Sequence, residues 1–501
     1  MSSTRVLVIG GGPGGSIAAT LLARAGISVV LLERDVFPRY HIGESIASSC
    51  RTILDFAGAL EKVEARGYTV KTGVLLRWGK EEDWKIDWRE LFGPDVRSWQ
   101  ADRDDFDAVL LDHASEQGVE VIHGATVKRV LFEGDRAVGA EWVESSAKDQ
   151  LRSERFDYVV DASGRAGLIS ARHFKDRQPH EIFRNVAIWG YWDGGALLPA
   201  TPSGGINVVS CPDGWYWIIP LRDNQYSVGF VCHQTRFLER KRQHDSLEDM
   251  LLSVVDESPT VRDLLEQGTY QPGVRVEQDF SYVADSFCGP GYYIVGDAAC
   301  FLDPLLSTGV HLAMYSGLLS AASILAVENG DVTELEAQSF YQSLFRNAYH
   351  RLFTLVSGVY QQYMGKESYF GLAQTLVREH DAAHDESTDS AFGELIAGVT
   401  DLRDASDERG KGTLPIQVSI NEATEGEQTP VQELLVAAEQ ARLSAGAHTP
   451  NSPLSLAPMK MDGNDLYDAA TGLYLVIGAT LGIRRAEPAA AAERSATLST
   501  R

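Results

Sequence analysis

A strand–glycine turn–helix–strand unit at 5–33, a strand running into small residues at 157–167 and a glycine-punctuated strand–loop–helix at 292–317 predict an α/β protein with a Rossmann-like domain. In "RVLVIGGGPGGSIAATLLARAGISVVLLER", residues 5–9 form a β-rich run suited to burial on both faces. Gly10, Gly12 and Gly15 follow in GxGxxG spacing, and Ile17, Leu21 and Leu22 share a helix face. A second apolar strand, Val29 to Leu32, ends in Glu33, eighteen residues after Gly15. Glycines allow a tight turn and close backbone approach, a pyrophosphate sits on the helix N-terminus, and the acid takes a ribose hydroxyl. A bound dinucleotide is the expected consequence.

Later stretches decide which dinucleotide. "SWQADRDDFDAVLLDHA" (98–114) offers Arg103 ahead of an amphipathic helix. "DYVVDASGRAG" (157–167) is a strand ending in Asp161, whose Ala-Ser-Gly164 turn can pass close to a cofactor. "YYIVGDAACFLDPLLSTGVHLAMYSG" (292–317) is a buried strand closed by Gly296 and Asp297, then a loop and a helix. A simple nicotinamide dehydrogenase needs only the first turn. Motifs spread over the chain suit FAD lying across a discontinuous domain. Asp297 would then hold ribityl hydroxyls, and the helix after Gly309 would turn its positive end toward the flavin.

In order, these motifs resemble the FAD-binding fold of the aromatic-hydroxylase type over about residues 4–325. Within that superfamily, "FPRYHIGES" (37–45) and "GWYWIIP" (214–220) resemble the flavin-dependent halogenases. Trp215, Trp217, Ile219 and Pro220 fit that family's WxWxIP pattern position by position. The resemblance implies an FAD site on Gly10, Gly12, Pro13, Gly14, Gly15, Glu33, Arg34, Arg39, Ser45, Arg103, Asp161, Gly164, Asp297, Pro304 and Gly309. It implies FADH2 from a separate flavin reductase, and O2 that makes a flavin hydroperoxide able to oxidise chloride to HOCl. It also implies a chloride pocket, for which Thr308 and Gly309 at a helix start are the candidates.

An enzyme committed to chlorination must keep the acceptor ring away from the flavin while passing a small oxidant. In a strand Trp215 and Trp217 project to one side, and two adjacent indoles make such a wall. Against this stands the plainer reading that the pair packs a core. Lys71 in "GYTVKTGVLLRWG" is the candidate for the lysine that receives the oxidant, as an ammonium donating to HOCl or as an amine carrying chlorine; Lys80 is a second candidate. In tryptophan halogenases a glutamate precedes the Ser-Thr-Gly, where this chain has Leu306. That departure turns the expected acceptor toward a phenol or pyrrole, free or held on an acyl or peptidyl carrier protein.

Residues 1–65, 98–180 and 275–330 are expected to form the FAD domain, and 66–97 with 181–274 a mixed substrate-facing sheet. There "VAIWGYW" (186–192), "GWYWIIP" and "QYSVGFVC" (225–232) read as adjacent strands. "RFLERKRQH" (236–244) is the main basic cluster, a solvated helix face or a docking patch for an acidic carrier. A mainly helical region is expected over 331–485, with an aromatic stripe at Tyr341, Phe345, Tyr349 and Phe353, an acidic connection at 379–430 and a disordered tail at 486–501. Asp279 is a candidate neighbour of the flavin, without covalent attachment.

The formal charge of −25 argues against nucleic acid, and five scattered cysteines without a CxxC pair suggest reduced thiols in the cytoplasm and no metal site. No membrane span is expected, since no apolar run of about 20 residues is evident. Rival readings are a single-component NAD(P)H-dependent hydroxylase, an isoprenoid or polyene reductase, and a flavin-binding protein without turnover.

Overall fold

The computed structural model describes residues 4–78, 83–147, 150–362, 466–468, 471–477 and 480–485. Lys80, the acidic connection and the tail fall outside them, and nothing is described of the Asp279 side chain.

The apolar run of Arg5–Ile9 becomes an inner strand of a six-stranded sheet, paired in parallel with Ser28–Glu33 on one side and Tyr158–Asp161 on the other. Tyr292–Ile294 adds to Tyr158–Asp161, also in parallel. Because these strands are neighbours pointing one way, the turns after them open on a single carboxyl edge. Backbone bonds from Gly10 to Leu32, Ala162 to Ile9 and Val295 to Asp161 fix those turns, each 2.9 Å long. Three motifs far apart in sequence thereby border one crevice, the usual ligand position of an open parallel sheet.

The helix Pro13–Arg24 begins with Pro at its first turn and packs on Gly309–Glu328. Their backbones touch. A Cβ on Gly317 would lie 2.4 Å from the Gly14 carbonyl oxygen, and one on Gly14 would lie 2.8 Å from that of Ala313. Gly317→Val must force the two helices apart, and is expected to lower stability by roughly 1–3 kcal/mol. Chemical denaturation checks this; an unchanged midpoint would mean the helices have slack.

Gly309–Glu328 also corrects the expectation that no apolar run of spanning length exists. An 18-residue stretch of this 20-residue helix reaches a mean hydropathy of 1.7, enough by length and composition to cross a membrane. Nearly all of it is buried between Pro13–Arg24, Glu334–Gln362 and the strand Leu481–Arg485, so it serves as a core helix that is apolar all round.

The second sheet has eight strands, in the order Cys300–Phe301, Thr269–Ala284, Arg177–Asp193, Gln225–His233, Gly214–Pro220, Ile206–Cys211, Gly73–Arg77 and Trp84–Asp87. "QYSVGFVC" lies between the other two aromatic strands, pairing antiparallel with both. The sequence boundaries at 180 and 275 fall inside the long strands Arg177–Asp193 and Thr269–Ala284, which run from beside the crevice into the sheet. Along Gly214–Pro220 the side chains alternate: Trp215, Trp217 and Ile219 join the core shared with the nucleotide-binding sheet, while Tyr216 and Ile218 face a second core under the helix Leu247–Glu257. Pro220 ends the strand beyond its last pairing with Ile206–Cys211, so its missing N–H breaks no bond on that side.

Tyr341, Phe345 and Tyr349 are buried on the helix Glu334–Gln362, with the Tyr341 hydroxyl donating to the Ile294 carbonyl at 2.7 Å. The stripe packs against the end of the nucleotide-binding sheet. The segment 466–485, expected within a mainly helical region, instead contributes three antiparallel strands wherever it is described. Leu473, Leu475, Ile477, Leu481 and Ile483 enter the main core, an inward alternation that period-2 spacing allows and a helix would scatter.

Candidate active site

A cavity of about 510 Å³ occupies the crevice and runs from the first glycine turn to the tryptophan strand. Gly10, Gly12, Pro13, Gly14, Glu33, Arg34, Arg39, Ser45, Arg103, Gly164, Asp297, Pro304, Thr308 and Gly309 all border it, as do Trp215, Trp217 and Ile219. Gly15, Asp161, Pro220 and Lys71 do not. Gly15 faces the Gly10 carbonyl, where a Cβ would come within 2.0 Å, so it serves the turn. Asp161 stands behind the cavity lining. Its buried carboxylate accepts from the Ser163 and Ile169 amides at 3.1 and 2.7 Å and so shapes the turn that faces the cavity.

The residues present fit a dinucleotide of FAD's kind. Gly12 caps Pro13–Arg24 without a side-chain bond, and the space at its Cα is open up to Arg39, 3.7 Å from a built Cβ. Helix amides and a guanidinium can hold a pyrophosphate there. Glu33 borders the cavity while its oxygens accept from the Gly11 and Asp35 amides at 2.6 and 2.7 Å. Arg103 donates to Asp107 through Nε at 2.8 Å and Nη2 at 3.0 Å, and to the Ile42 carbonyl at 2.9 Å. Arg39 adds a 3.0 Å ion pair to the same carboxylate. The two guanidiniums hold the Asp107 carboxyl below its ordinary range against its burial, and Arg103 ties the 40–45 loop to the cavity wall. At the far end, burial pushes the Asp297 carboxyl up, opposed by Arg165, Arg103 and Arg177. Such a group is suited to share hydrogen bonds with hydroxyls.

Gly309 opens the helix Gly309–Glu328, and nothing lies within 4 Å of a Cβ built there. Ser307 adopts a left-handed φ of 57°, which swings the chain into that helix. Asp303, the nearest carboxylate in this loop, accepts from Asn185 Nδ2 and the Leu305 amide at 3.1 and 3.0 Å. Open space at a helix start is where a small anion can sit.

Three indoles border the cavity together, those of Trp189, Trp215 and Trp217. Trp215 and Trp217 lie 6.1 Å apart at 54° along one strand, and Trp189 from the strand Arg177–Asp193 stands 6.1 Å from Trp217 across the sheet. Trp217 Nε1 donates to Ser227 Oγ at 3.1 Å. A Cβ at Gly229 would fall 2.2–2.4 Å from three atoms of the Trp217 ring, so that glycine makes the room for it. Trp189 Nε1 donates to the Tyr40 hydroxyl at 2.8 Å, which meets the Tyr191 hydroxyl at 2.8 Å, which donates to Glu44 Oε1 at 2.8 Å. Glu44 Oε2 is buried without a hydrogen-bond partner, and burial raises the carboxyl's pKa against the nearby amides and Arg103. An acid so placed on the cavity wall can hold a proton. None of Trp189, Tyr40, Glu44, Tyr191 or Gly229 was singled out by sequence reasoning. Trp189 was findable from its alternation in "VAIWGYW", and Glu44 from its place before Ser45.

Lys71 stands off this cavity, on the strand Thr69–Lys71, and is 3% exposed. Its Nζ donates to the Ile46 carbonyl at 3.4 Å and lies 4.8 Å from the centre of the Trp88 ring. Burial lowers its pKa to about 7, with Cys50 opposing slightly. Both its protonated and neutral forms are therefore available near neutral pH.

The parallel sheet, the glycine turn and the cavity define an FAD-binding oxidoreductase, and residues 5–177 match the family of FAD-dependent oxidoreductases. The family model described as tryptophan halogenase matches residues 95–388, and the chain belongs to this family of flavin-dependent halogenases. A tryptophan 2-halogenase of Chondromyces crocatus is 43% identical over 408 residues, 81% of this chain and 77% of that protein. A flavin-dependent halogenase of Armillaria mellea is 38% identical, covering 73% of each. Among solved structures, the myxobacterial chondrochloren halogenase superposes with a TM-score of 0.68 at 32% identity, over 88% of this chain and 97% of the other.

Proposed function

We propose that the chain is a chlorinating member of this family, supplied with reduced FAD by a separate reductase. Bound FAD, reduced and in the presence of O2, supplies the two-electron oxidation of a halide. The residues from Gly10 to Asp297 bind and orient it, and the open start of the helix after Thr308 takes the chloride. The indoles of Trp189, Trp215 and Trp217 exclude the acceptor from the cavity. Lys71 receives the oxidised chlorine behind them and presents it to an electron-rich ring. The observation that carries this reading is a buried amine, with a pKa near 7, standing off a cavity walled by three indoles. An exposed lysine would be fully charged at that pH and free to face water.

The acceptor is a phenol or a pyrrole. Support comes from Leu306, which stands where tryptophan halogenases carry the glutamate that helps an aromatic ring lose its proton. A ring bearing a hydroxyl or a pyrrole nitrogen stabilises the halogenated cation by itself. Free tryptophan is the second reading, favoured by the 43% identical relative's name. Tethering to a carrier protein rests on the family resemblance alone. On the basic helix, Arg236 and Arg240 already pair with Asp213, Glu239 and Glu257.

Mass spectrometry tests the proposal: reduced FAD, O2 and chloride are supplied with free tryptophan and with free and carrier-bound phenols and pyrroles. The expected result is a chlorine isotope pattern on a phenol or pyrrole product. Chlorinated tryptophan alone would overturn the acceptor assignment, and an oxygenated product independent of chloride would overturn the reaction.

A further inference from the structure

An aromatic surface of the protein itself, the Trp88 indole, lies against the Lys71 amine. Trp88 follows the strand Trp84–Asp87, and its amide donates to the Thr72 carbonyl at 2.9 Å, clamping the indole beside the residue that follows Lys71. The Trp88 side chain is fully buried and its Nε1 has no hydrogen-bond partner. Lys71 Nζ lies over its face, 4.8 Å from the ring centre, and its one hydrogen bond among the described residues is the long one to the Ile46 carbonyl. A halogen atom on that nitrogen would narrow this 4.8 Å gap toward the separation of roughly 3–3.5 Å from which reactions proceed. Indole is the most electron-rich ring among protein side chains, and the indole-bearing amino acid is what the Chondromyces crocatus relative is named for halogenating.

We propose that Trp88 is a self-halogenation site, to which the halogen held at Lys71 passes when no acceptor is bound. The inference rests on Lys71 being the delivering amine. From a haloamine, the N–halogen bond breaks and a C–halogen bond forms on the indole; the ring proton passes to the Lys71 nitrogen, restoring the amine. From hypohalous acid bound at the ammonium, the O–halogen bond breaks instead, and the ring proton leaves with the oxygen as water. The oxidised halide comes from the enzyme's own reaction. Two alternative sinks are less suited. The Cys50 thiol is pushed up to about 12 by its burial, so it stays protonated, whereas the thiolate is the reactive form. Trp189, Trp215 and Trp217 border the cavity, which Lys71 does not, so none of them faces the amine that holds the halogen.

The test incubates the FAD-loaded enzyme with reduced FAD, O2 and chloride but no acceptor, followed by peptide mass spectrometry. Expected is a one-for-one exchange of hydrogen for chlorine, with its isotope pattern, on the peptide holding Trp88. The label should be lost in Lys71→Met and in Trp88→Phe, and suppressed when acceptor is added. Labelling shared equally among the wall indoles, oxidation of Cys50 in place of Trp88, or a label that survives Lys71→Met would overturn the proposal. Should Trp88→Phe not fold, the Lys71→Met arm decides alone. Halogenated acceptor with Trp88 unlabelled overturns this inference and leaves the proposed function standing. Neither product means that the halogenase reading fails too.

Discussion

Lys71→Met is expected to make no halogenated product while leaving the protein more stable than the native chain. Loss of product follows if the amine is the only group that hands on the oxidant; oxidised halide should then escape, and a soluble trap present during flavin oxidation would collect it. Stability rises for a separate reason. The Lys71 pKa falls from 10.5 in an unfolded chain to about 7 when buried. Between those values the unfolded chain binds a proton that the folded chain does not, so stability climbs with pH across that window. Below pH 7 the burial cost is complete. At 1.36 kcal/mol per unit, it comes to about 4 kcal/mol at neutral pH. Removing the amine also leaves the buried Ile46 carbonyl without its donor, which costs about 1–3 kcal/mol. The first term is larger, so methionine should raise the melting temperature at pH 7, and less so at pH 10. A variant that melts lower at pH 7, or still chlorinates, would refute the assignment.

How much of this could be seen beforehand differed by residue. The glycine turn was legible because its chemistry is backbone chemistry: Gly10 must reach a φ of +104°, and a side chain there would strike Ala162. The alternation of Trp215 and Trp217 was legible because strand geometry puts every second residue on one face. The inner strands of the nucleotide-binding sheet were legible as apolar runs. Burial of Lys71 was not. Its strand is three residues long, and the carbonyl and indole around it arrive from distant positions: Ile46 bonds to Trp99 in the paired strand Ser98–Gln100, and Trp88 bonds to the Thr72 carbonyl. Asp161 read as a cofactor ligand because a strand-end acid has that look; only the turn's geometry shows both oxygens bonded to its own amides. The strands at 466–485 went unread because the apolar stretch "GLYLVIGATLGI" at 472–483 fits a buried helix or a hairpin equally well.

Trp217→Ala should have the second large effect. Removing a buried indole costs about 3–5 kcal/mol, so the variant must be assayed well below its melting point. The gap would open beside Trp189 and Trp215, each of which now stands 6.1 Å from Trp217. Reduced flavin should still be oxidised, but the halogenated product formed per flavin should fall severalfold, with escaped oxidant making up the difference. Trp217→Phe keeps an aromatic ring above Gly229 and should retain most of the coupling. Gly229→Ala separates position from identity. Its Cβ displaces an unaltered indole, and both coupling and FAD affinity should decline. Equal coupling in Trp217→Ala and the native enzyme would mean that the indoles only pack the sheet.

The whole account depends on separating the place where halide is oxidised from the place where the ring is substituted. A crystal structure of the enzyme with FAD and its acceptor measures this directly. The expected result is the acceptor beside Lys71, with Trp215 and Trp217 between it and the isoalloxazine and no contact between the two ring systems. An acceptor within about 4 Å of the isoalloxazine, in van der Waals contact, would contradict it.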